Sequence, residues 1–412
     1  MTHRRLDVVH ERFFPAYVVW ELTLACDQAC LHCGSRAGSA RANELQSDEA
    51  IRVARELAEL GAREVVLIGG EAYLHPGFFQ VVRALSESGV VTQITTGGRG
   101  VTPELARDLA RAGLAAASVS LDGLEATHDT LRASPGSQRA ALSALHSLRA
   151  AGIRIGANTN LNRRNRDELE ALFELVCEHG VESWQIQLTA PLGRAADRTQ
   201  LVLQPYDLLD LVPRIARVKE RARARGVHVM PGNNLGYFGP EEARLRSWHP
   251  GGKDHFAGCQ AGRFVLGIES HGEVKGCPSL QSPEYIVGSL RDTGLAELWR
   301  SEPRLAFRRD SRAIALTGFC ASCPFGATCL GGCTFTAHAL LGAPGDNPYC
   351  HYRARDFAKR GLRERLVPTE PARGEPFDSG RFRLLVEPLD APEPELSRAA
   401  RVQVTRPAVR RA

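Results

Sequence analysis

Short apolar runs alternate with longer helical patterns from residue 16 to about residue 230. The runs are apolar at nearly every position rather than at every second one, which is typical of parallel strands buried on both faces. They read YVVWELTL, EVVLIGG, VVTQITT, AAASVSLDG, IRIGANTNL, SWQIQLTA and a shorter VHVMP. The repeated order of strand and helix predicts an α/β fold with right-handed crossovers, a partial (β/α)6 barrel whose functional site lies at the carboxyl ends of the strands.

The segments between the runs predict amphipathic helices. One is expected to have Ser47 as its N-cap and to bury Val53 and Leu57 on one face. Another is predicted over 103–111, with Pro at its first position and an end near Gly113. These helices supply the crossovers that parallel strands require.

The pattern changes after about residue 250 to short segments with many Gly, Pro and Cys residues. Because this region has too few apolar residues for a large core, it is predicted to be a small domain stabilised by bound metal. After residue 366 a linker, PTEPARGEPFDSG, precedes an isolated strand-like RFRLLVEP and a Pro- and Arg-rich end, for which we expect flexibility. The predicted divisions are an N-terminal extension, the barrel, the cysteine-rich domain and the tail, over residues 1–15, 16–235, 236–366 and 367–412.

Composition places the chain among ordinary globular proteins. Of 412 residues, 43% are hydrophobic and 24% charged, and the net charge of +5 is partly due to the Arg-rich end, so it does not indicate nucleic-acid binding. No signal peptide and no membrane span is evident, which predicts a cytoplasmic protein without a membrane partner. Thiols stay reduced there, so the eleven cysteines are expected to bind metal rather than form disulfides.

Three of these cysteines lie together in ACDQACLHCGS, directly after the first predicted strand: Cys26, Cys30 and Cys33. Three thiolates can hold three irons of a cubane cluster and leave the fourth iron open for a substrate or cofactor. The alternative is a zinc site completed by a distant residue or by His32.

CDQACLHC resembles the signature loop of radical S-adenosylmethionine (radical SAM) enzymes. The resemblance implies a 4Fe-4S cluster whose open iron binds the amino and carboxylate groups of S-adenosylmethionine (SAM). One electron from the cluster then cleaves SAM to a 5'-deoxyadenosyl radical. It also implies a reductant such as flavodoxin or ferredoxin as a partner.

Further motifs follow the expected strands: GGE at 69–71, ITTGG at 94–98, SVSLDG at 118–123, GANTNLN at 156–162 and WQIQLTAPLGRA at 184–195. Glycines let a backbone approach a ligand closely, and a carboxylate can receive an amino group. By resemblance the cofactor contacts are His32, Gly69, Gly70, Glu71, Ser120, Asp122, Asn160, Gln187 and Leu192. Within this set His32 is expected to pack near the adenine.

Seven cysteines fall in the second region, four of them in CASCPFGATCLGGC. Those four alone would also suit a zinc knuckle, but one zinc cannot take seven thiolates. The set resembles the SPASM extension of radical SAM enzymes, which carries two auxiliary 4Fe-4S clusters, three clusters in all. By resemblance one auxiliary cluster is held by Cys259, Cys277 and Cys333, and the other by Cys320, Cys323, Cys329 and Cys350.

The first of these sets is one ligand short. Sulfatase-maturing relatives have a further cysteine where this chain has Val265, so we expect a remote group or an open iron, and not sulfatase maturation. The remaining cysteine, Cys177, lies in a predicted helix and is interpreted as a buried structural thiol.

SPASM enzymes commonly modify peptides, so the resemblance implies hydrogen abstraction from a ribosomal peptide, giving a crosslink or a related oxidation. Only about fifteen residues precede the first strand, so a separate leader-peptide-binding protein is expected to help recognise the substrate. The alternatives are an enzyme of haem, tetrapyrrole or quinone cofactor biosynthesis, and a non-enzymatic metal or redox-sensing protein. The sequence identifies no catalytic acid or base.

Overall fold

The structure, a computed structural model, describes residues 13–393 except 283, 302, 307–308 and 310–314. Twelve strands are present in this part of the chain: β1 (Tyr17–Thr23), β2 (Glu64–Gly69), β3 (Val91–Thr96), β4 (Ala116–Ser120), β5 (Arg154–Leu161), β6 (Ser183–Leu188), β7 (His228–Pro231), β8 (Val265–Ile268), β9 (Glu273–Lys275), β10 (Gly288–Ser289), β11 (Leu362–Glu370) and β12 (Arg381–Pro388).

The helices of the same residues flank and follow these strands: α1 (Ser47–Glu59), α2 (Phe78–Glu87), α3 (Pro103–Arg111), α4 (Glu125–Arg132), α5 (Ser137–Ala150), α6 (Leu169–Glu178), α7 (Leu208–Ala224), α8 (Glu242–Arg246), α9 (Leu295–Ser301), α10 (Pro303–Ala306), α11 (Gly318–Ala321), α12 (Gly326–Cys329), α13 (Thr334–Leu341) and α14 (His351–Lys359). None of the described helices is long and apolar enough to cross a bilayer.

Strands β1 to β7 lie side by side in chain order and pair in parallel, as the alternation of apolar runs and helical patterns predicted. The sheet is open, because its outer strands β7 and β10 do not pair with each other. Trp20 and Trp184 are fully buried in β1 and β6. The α/β class and the partial, unclosed barrel are therefore confirmed, with VHVMP as an additional parallel strand.

The helix ends follow local capping chemistry. In α3, Thr102 Oγ1 accepts a hydrogen bond from Leu105 N at 3.2 Å, and the predicted span 103–111 is confirmed. For α1 the predicted N-cap was wrong by one residue: Gln46 is the cap, and its backbone N–H donates to Glu49 Oε2 at 2.7 Å. The Glu49 side chain fixes where the helix begins, because it accepts this hydrogen bond from Gln46, the residue before Ser47.

The cysteine-rich region is not separate from the barrel sheet. Strand β8 pairs in parallel with β1, with Val265 opposite Tyr17, and β9 and β10 continue the same sheet in antiparallel order. The predicted division at residue 235 therefore cuts through a continuous sheet. This pairing brings the loop after β8 beside the segment after β1, where Leu45 N–H donates to Ser270 O at 2.8 Å.

The expectation of a flexible tail from residue 367 was wrong for residues up to 393. RFRLLVEP does form a strand, β12, but it is not isolated, since it pairs antiparallel with β11. Leu366 and Phe382 pack against the core, and Glu364 receives two hydrogen bonds from the buried Arg353 at 2.6 and 2.7 Å. These contacts offset the ordering cost that the linker composition suggested. Most of the predicted N-terminal extension, 1–12, and the end of the predicted tail, 394–412, lie outside the described residues.

Candidate active site

A cavity of about 500 Å³ lies on the inner side of the sheet, between the first six strands and the loops that follow them. Eight of the predicted cofactor contacts line it: His32, Gly69, Gly70, Glu71, Ser120, Asn160, Gln187 and Leu192. Six cysteines line it too: Cys26, Cys30, Cys33, Cys259, Cys277 and Cys333. The topology thus gathers residues from distant parts of the sequence around one space.

The cysteine loop after β1 is held by backbone hydrogen bonds. Cys26 N–H donates to Gly38 O at 2.9 Å, which closes the base of the loop. Arg194 reaches it from the loop after β6, with its N–H on Cys33 O at 2.9 Å and its Nε on Cys30 O at 2.8 Å. The thiols are therefore carried on a fixed backbone rather than on a free loop.

The three thiols of this loop are chemically suited to a metal. Burial raises the pKa of Cys26 to about 12, and Glu71, Cys30 and Cys33 oppose its ionisation further. Metal binding requires thiolates, and a bound cation is what stabilises several of them in one buried place. Three thiols on one wall of a cavity therefore fit an iron–sulfur cluster that leaves a coordination position facing the cavity.

The GGE segment packs directly against that loop. A Cβ on Gly70 would lie 2.0 Å from Ala25 O, and one on Gly69, whose φ is +145°, would lie 1.9 Å from Thr23 O. Only glycine fits at these two positions. Glu71 is held by Thr96 Oγ1 at 2.5 Å and by Gly97 N at 2.7 Å, and burial raises its pKa to about 7.

Asp122 is the one predicted cofactor contact that does not line the cavity. Its carboxylate is fully buried and accepts hydrogen bonds from Arg132 and, at 2.8 Å, from Asn160 N–H, and it lies 3.1 Å from His32 Nε2. Although burial opposes ionisation, Arg132 and His32 hold the pKa of Asp122 well below its usual range. The Asp122 side chain therefore supports the residues of the cavity wall, because its oxygens already contact Arg132, Asn160 and His32.

Sequence reasoning missed Arg132, which ends α4 and lines the cavity. Its Nη1 lies 3.6 Å from Cys30 Sγ while its Nη2 pairs with Asp122. A buried guanidinium beside a thiol and a cavity can receive an anionic group, because only some of its donors are used. No local motif marks this arginine; the helix after SVSLDG contains it without a distinguishing spacing.

Cys259, Cys277 and Cys333 form a second group on the cavity wall. Burial raises the pKa of Cys277 to about 12, and the neighbouring Cys259 and Cys333 thiols raise it further. Val265 lines the cavity, and the described residues include no fourth cysteine in this group. The donor set fits a cluster with three cysteine ligands.

The other four cysteines of the region form a third group away from the cavity. Burial raises the pKa of Cys329 to about 12, and the neighbouring Cys320 and Cys323 thiols raise it further; burial also raises the pKa of Cys350, with Cys329 and Cys320 as neighbours. The Cys350 thiol also accepts a hydrogen bond from Arg353 N at 3.5 Å at the start of α14. Four thiols fit a fully ligated cluster.

Tyr237, which sequence reasoning also missed, contacts both of the later groups. Its hydroxyl oxygen accepts a hydrogen bond from Cys333 N–H at 3.2 Å, and its carbonyl oxygen lies 3.8 Å from Cys350 Sγ. The side chain is 1% exposed. Cys177, which was predicted to be a buried structural thiol, packs against the core from α6 but is only partly buried.

Comparison with known proteins agrees with this geometry. The Radical SAM superfamily model matches residues 20–176, and the SPASM iron–sulfur cluster-binding domain matches residues 259–324. An AdoMet-dependent heme synthase of Methanosarcina barkeri is 29% identical over 360 residues, 82% of this chain and 97% of the relative. The mycofactocin maturase MftC of Mycobacterium tuberculosis is 29% identical over 340 residues, 81% of this chain and 82% of the relative.

Solved structures share the fold. SuiB of Streptococcus suis bound to S-adenosylmethionine has a TM-score of 0.63 at 17% identity, over 78% of this chain and 73% of that one. The anSMEcpe structure with bound AdoMet has a TM-score of 0.65 at 13% identity, over 82% of this chain and 95% of that one. The chain belongs to the radical SAM/SPASM family and is an iron–sulfur enzyme that uses S-adenosylmethionine.

Proposed function

We propose that Cys26, Cys30 and Cys33 hold a 4Fe-4S cluster whose open iron binds SAM. When bound, this cluster and SAM supply one-electron chemistry strong enough to abstract hydrogen from a substrate C–H bond. The observation that carries the proposal is that this cysteine group and the group of Cys259 and Cys277 line one cavity. A substrate in that cavity would be within reach of a hydrogen acceptor and an electron acceptor together.

The chain's own residues would bind SAM through complementary charge. Glu71 is fixed by two hydrogen bonds and can accept a hydrogen bond from the amino group, while Arg132 and Ser120 can receive the carboxylate. His32 and Leu192 line the remaining part of the wall and suit the adenine. In this proposal Asp122 contacts no ligand and instead orients Arg132.

We further propose two auxiliary clusters, three clusters in all. Cys259, Cys277 and Cys333 would hold the cluster beside the cavity, and Cys320, Cys323, Cys329 and Cys350 the one behind it. Support comes from the grouping of the thiols and from the SPASM match. The cluster beside the cavity would take the electron that remains on the substrate after hydrogen abstraction.

The proposed substrate is a ribosomal peptide, which would leave with a crosslink or a related oxidation. Similarity to a mycofactocin maturase supports this class, and the structure of SuiB, which shares the fold, has been solved with its precursor peptide SuiA. A separate leader-peptide-binding protein and a reductant such as flavodoxin or ferredoxin complete the proposal.

A haem precursor is the second candidate substrate. The observation that favours it is the match to a heme synthase over 97% of that protein's length, at the same 29% identity as the maturase. The two classes share the radical chemistry, so only the substrate separates them.

The test is an anaerobic assay of the reconstituted protein with dithionite and SAM. We expect about twelve irons per chain, since each cluster contains four, and formation of 5'-deoxyadenosine. Mass spectrometry of a peptide encoded beside this gene, and in parallel of a carboxylated porphyrin, then identifies the substrate by a loss of mass. Four irons or fewer without 5'-deoxyadenosine would contradict the enzyme proposal, and modification of the porphyrin alone would select the second candidate.

A further inference from the structure

The turn between β11 and β12 packs against the cysteine loop, although both family matches end before it, at residues 176 and 324. Phe377 N–H donates to Gly34 O at 3.0 Å. Asp378 O accepts from Gly193 N–H at 2.7 Å, and Ser379 forms an antiparallel bridge with Leu192. Backbone bonds therefore join three segments that are far apart in the sequence.

Arg36 ties the same segments together through its side chain. Its Nε donates to Glu375 O at 3.0 Å and to Asp378 Oδ1 at 3.1 Å. Its terminal nitrogens donate to Gly193 O at 3.0 Å and to Asp197 at 2.6 and 2.9 Å. One guanidinium next to the cysteine loop thus binds the turn on one side and the loop after β6 on the other.

Asp378 also organises the turn itself. Its Oδ2 accepts hydrogen bonds from Gly374 N–H at 2.6 Å and from Glu375 N–H at 3.1 Å, while Oδ1 receives Arg36. The carboxylate is therefore shared between the local turn and the cysteine loop. Replacing it by an amide separates these two contributions, since an amide oxygen can still accept from the turn but carries no charge.

The turn ends in a side chain that faces the cavity. Phe377 is 7% exposed and lines the cavity, and Lys275 Nζ lies 3.8 Å from the centre of its ring. Its φ is +57°, a conformation that is unfavourable for an aromatic residue, and Arg36 opposite has a φ of +53°. Two left-handed non-glycine residues at one junction indicate that surrounding contacts impose this geometry.

We propose that the β11–β12 turn is a wall of the SAM site: Asp378 is a positioning residue that holds the cysteine loop through Arg36, and Phe377 closes the cavity to solvent. This inference rests on the proposed function for the identity of the ligand. The contacts that carry it involve protein atoms alone.

The experiment uses the full-length protein with the variants Asp378→Ala, Asp378→Asn, Phe377→Ala and Phe377→Leu. Val386→Ala is the matched control, because Val386 lies on the same hairpin and is 50% exposed. Amide hydrogen exchange in residues 24–38 and 188–198, and maleimide labelling of Cys26, Cys30 and Cys33 with Cys177 as internal reference, are measured before the clusters are reconstituted, because bound iron would block the thiols. Equilibrium dialysis with radiolabelled SAM is measured after reconstitution.

We expect Asp378→Ala to accelerate amide exchange in both segments about tenfold, because the bonds that restrain them are lost. Its dissociation constant for SAM should rise about tenfold, the equivalent of about 1.4 kcal/mol. For Asp378→Asn, both the amide exchange rates and the dissociation constant for SAM should lie between those of Asp378→Ala and the wild type. Phe377→Ala should leave amide exchange unchanged but label the three cysteines about fivefold faster, and Phe377→Leu should restore most of the protection.

Unchanged amide exchange in Asp378→Ala would overturn the positioning role, and unchanged labelling in Phe377→Ala would overturn the wall. Failure of the proposed function looks different, since wild-type protein would then not bind SAM. Amide exchange and labelling would still judge the turn in that case, because neither requires the cofactor.

Discussion

Arg132 Nη1 lies 3.6 Å from Cys30 Sγ, so a cation bound to a buried carboxylate reaches a thiol of the cysteine loop. The same guanidinium is the main cationic partner of Asp122, which is fully buried. Arg132 thus connects a buried carboxylate, a thiol of the cysteine loop and the wall of the cavity. Disturbing one member should therefore affect both stability and cofactor binding.

Substitution of Arg132 tests this coupling. Arg132→Met leaves Asp122 buried with a weaker partner, so we expect a loss of about 3 kcal/mol in the free energy of unfolding, measured by urea denaturation. The double variant Arg132→Met with Asp122→Asn should recover part of that loss, because no uncompensated charge remains. Arg107→Ala, on the exposed face of α3, is the control and should not move the midpoint. An Arg132→Met protein as stable as the Arg107→Ala control would contradict the coupling between Arg132 and Asp122.

The cysteine groups should separate two activities. Cys30→Ala should abolish formation of 5'-deoxyadenosine, measured by liquid chromatography, and remove about four irons per chain. Cys329→Ala should lose a similar amount of iron but retain cleavage of SAM, while product formation is lost. Full product formation by the Cys30→Ala protein would refute the assignment of the first group.

Gly70 is the sharpest steric test of the site. In Gly70→Ala the new Cβ would lie 2.0 Å from Ala25 O and 2.7 Å from Cys26 Cβ, so the cysteine loop must move. We expect SAM binding, followed by equilibrium dialysis, to weaken at least about tenfold. Gly294→Ala is the matched control, because nothing lies within 4 Å of its added Cβ. Equal affinities in the two variants would show that the close packing of GGE is not required.

Tyr237 should influence both auxiliary groups. Tyr237→Phe removes the hydroxyl oxygen that accepts from Cys333 N–H and leaves this buried donor unpaired, at a cost of about 1–3 kcal/mol. We expect its auxiliary-cluster signals in electron paramagnetic resonance to change while the signal that responds to SAM stays as in the wild type. Tyr206→Phe is the matched control, because it also removes one tyrosine hydroxyl, which donates to Glu393 instead. Wild-type spectra for Tyr237→Phe would exclude this role.

Local sequence was sufficient wherever short-range chemistry decides the outcome. The strand pattern predicted β1 to β7, Pro103 predicted the start of α3, and CDQACLHC with GGE indicated the family. These features depend on backbone propensity, on burial of continuous apolar runs, and on donor atoms only a few residues apart. The predicted start of α1 was wrong by only one residue, because the hydrogen bond that sets it joins Gln46 to Glu49, three residues away.

Tertiary structure alone decided what depends on distant partners. The pairing of β8 with β1 joined the cysteine-rich region to the barrel sheet, and the pairing of β12 with β11 ordered a segment whose composition predicted flexibility. Asp122 turned away from the cavity because Arg132 and His32 occupy its oxygens, and neither partner is marked by spacing. Composition and periodicity do not predict which surfaces contact each other, because these contacts join residues far apart in the sequence and form only when the chain closes large loops.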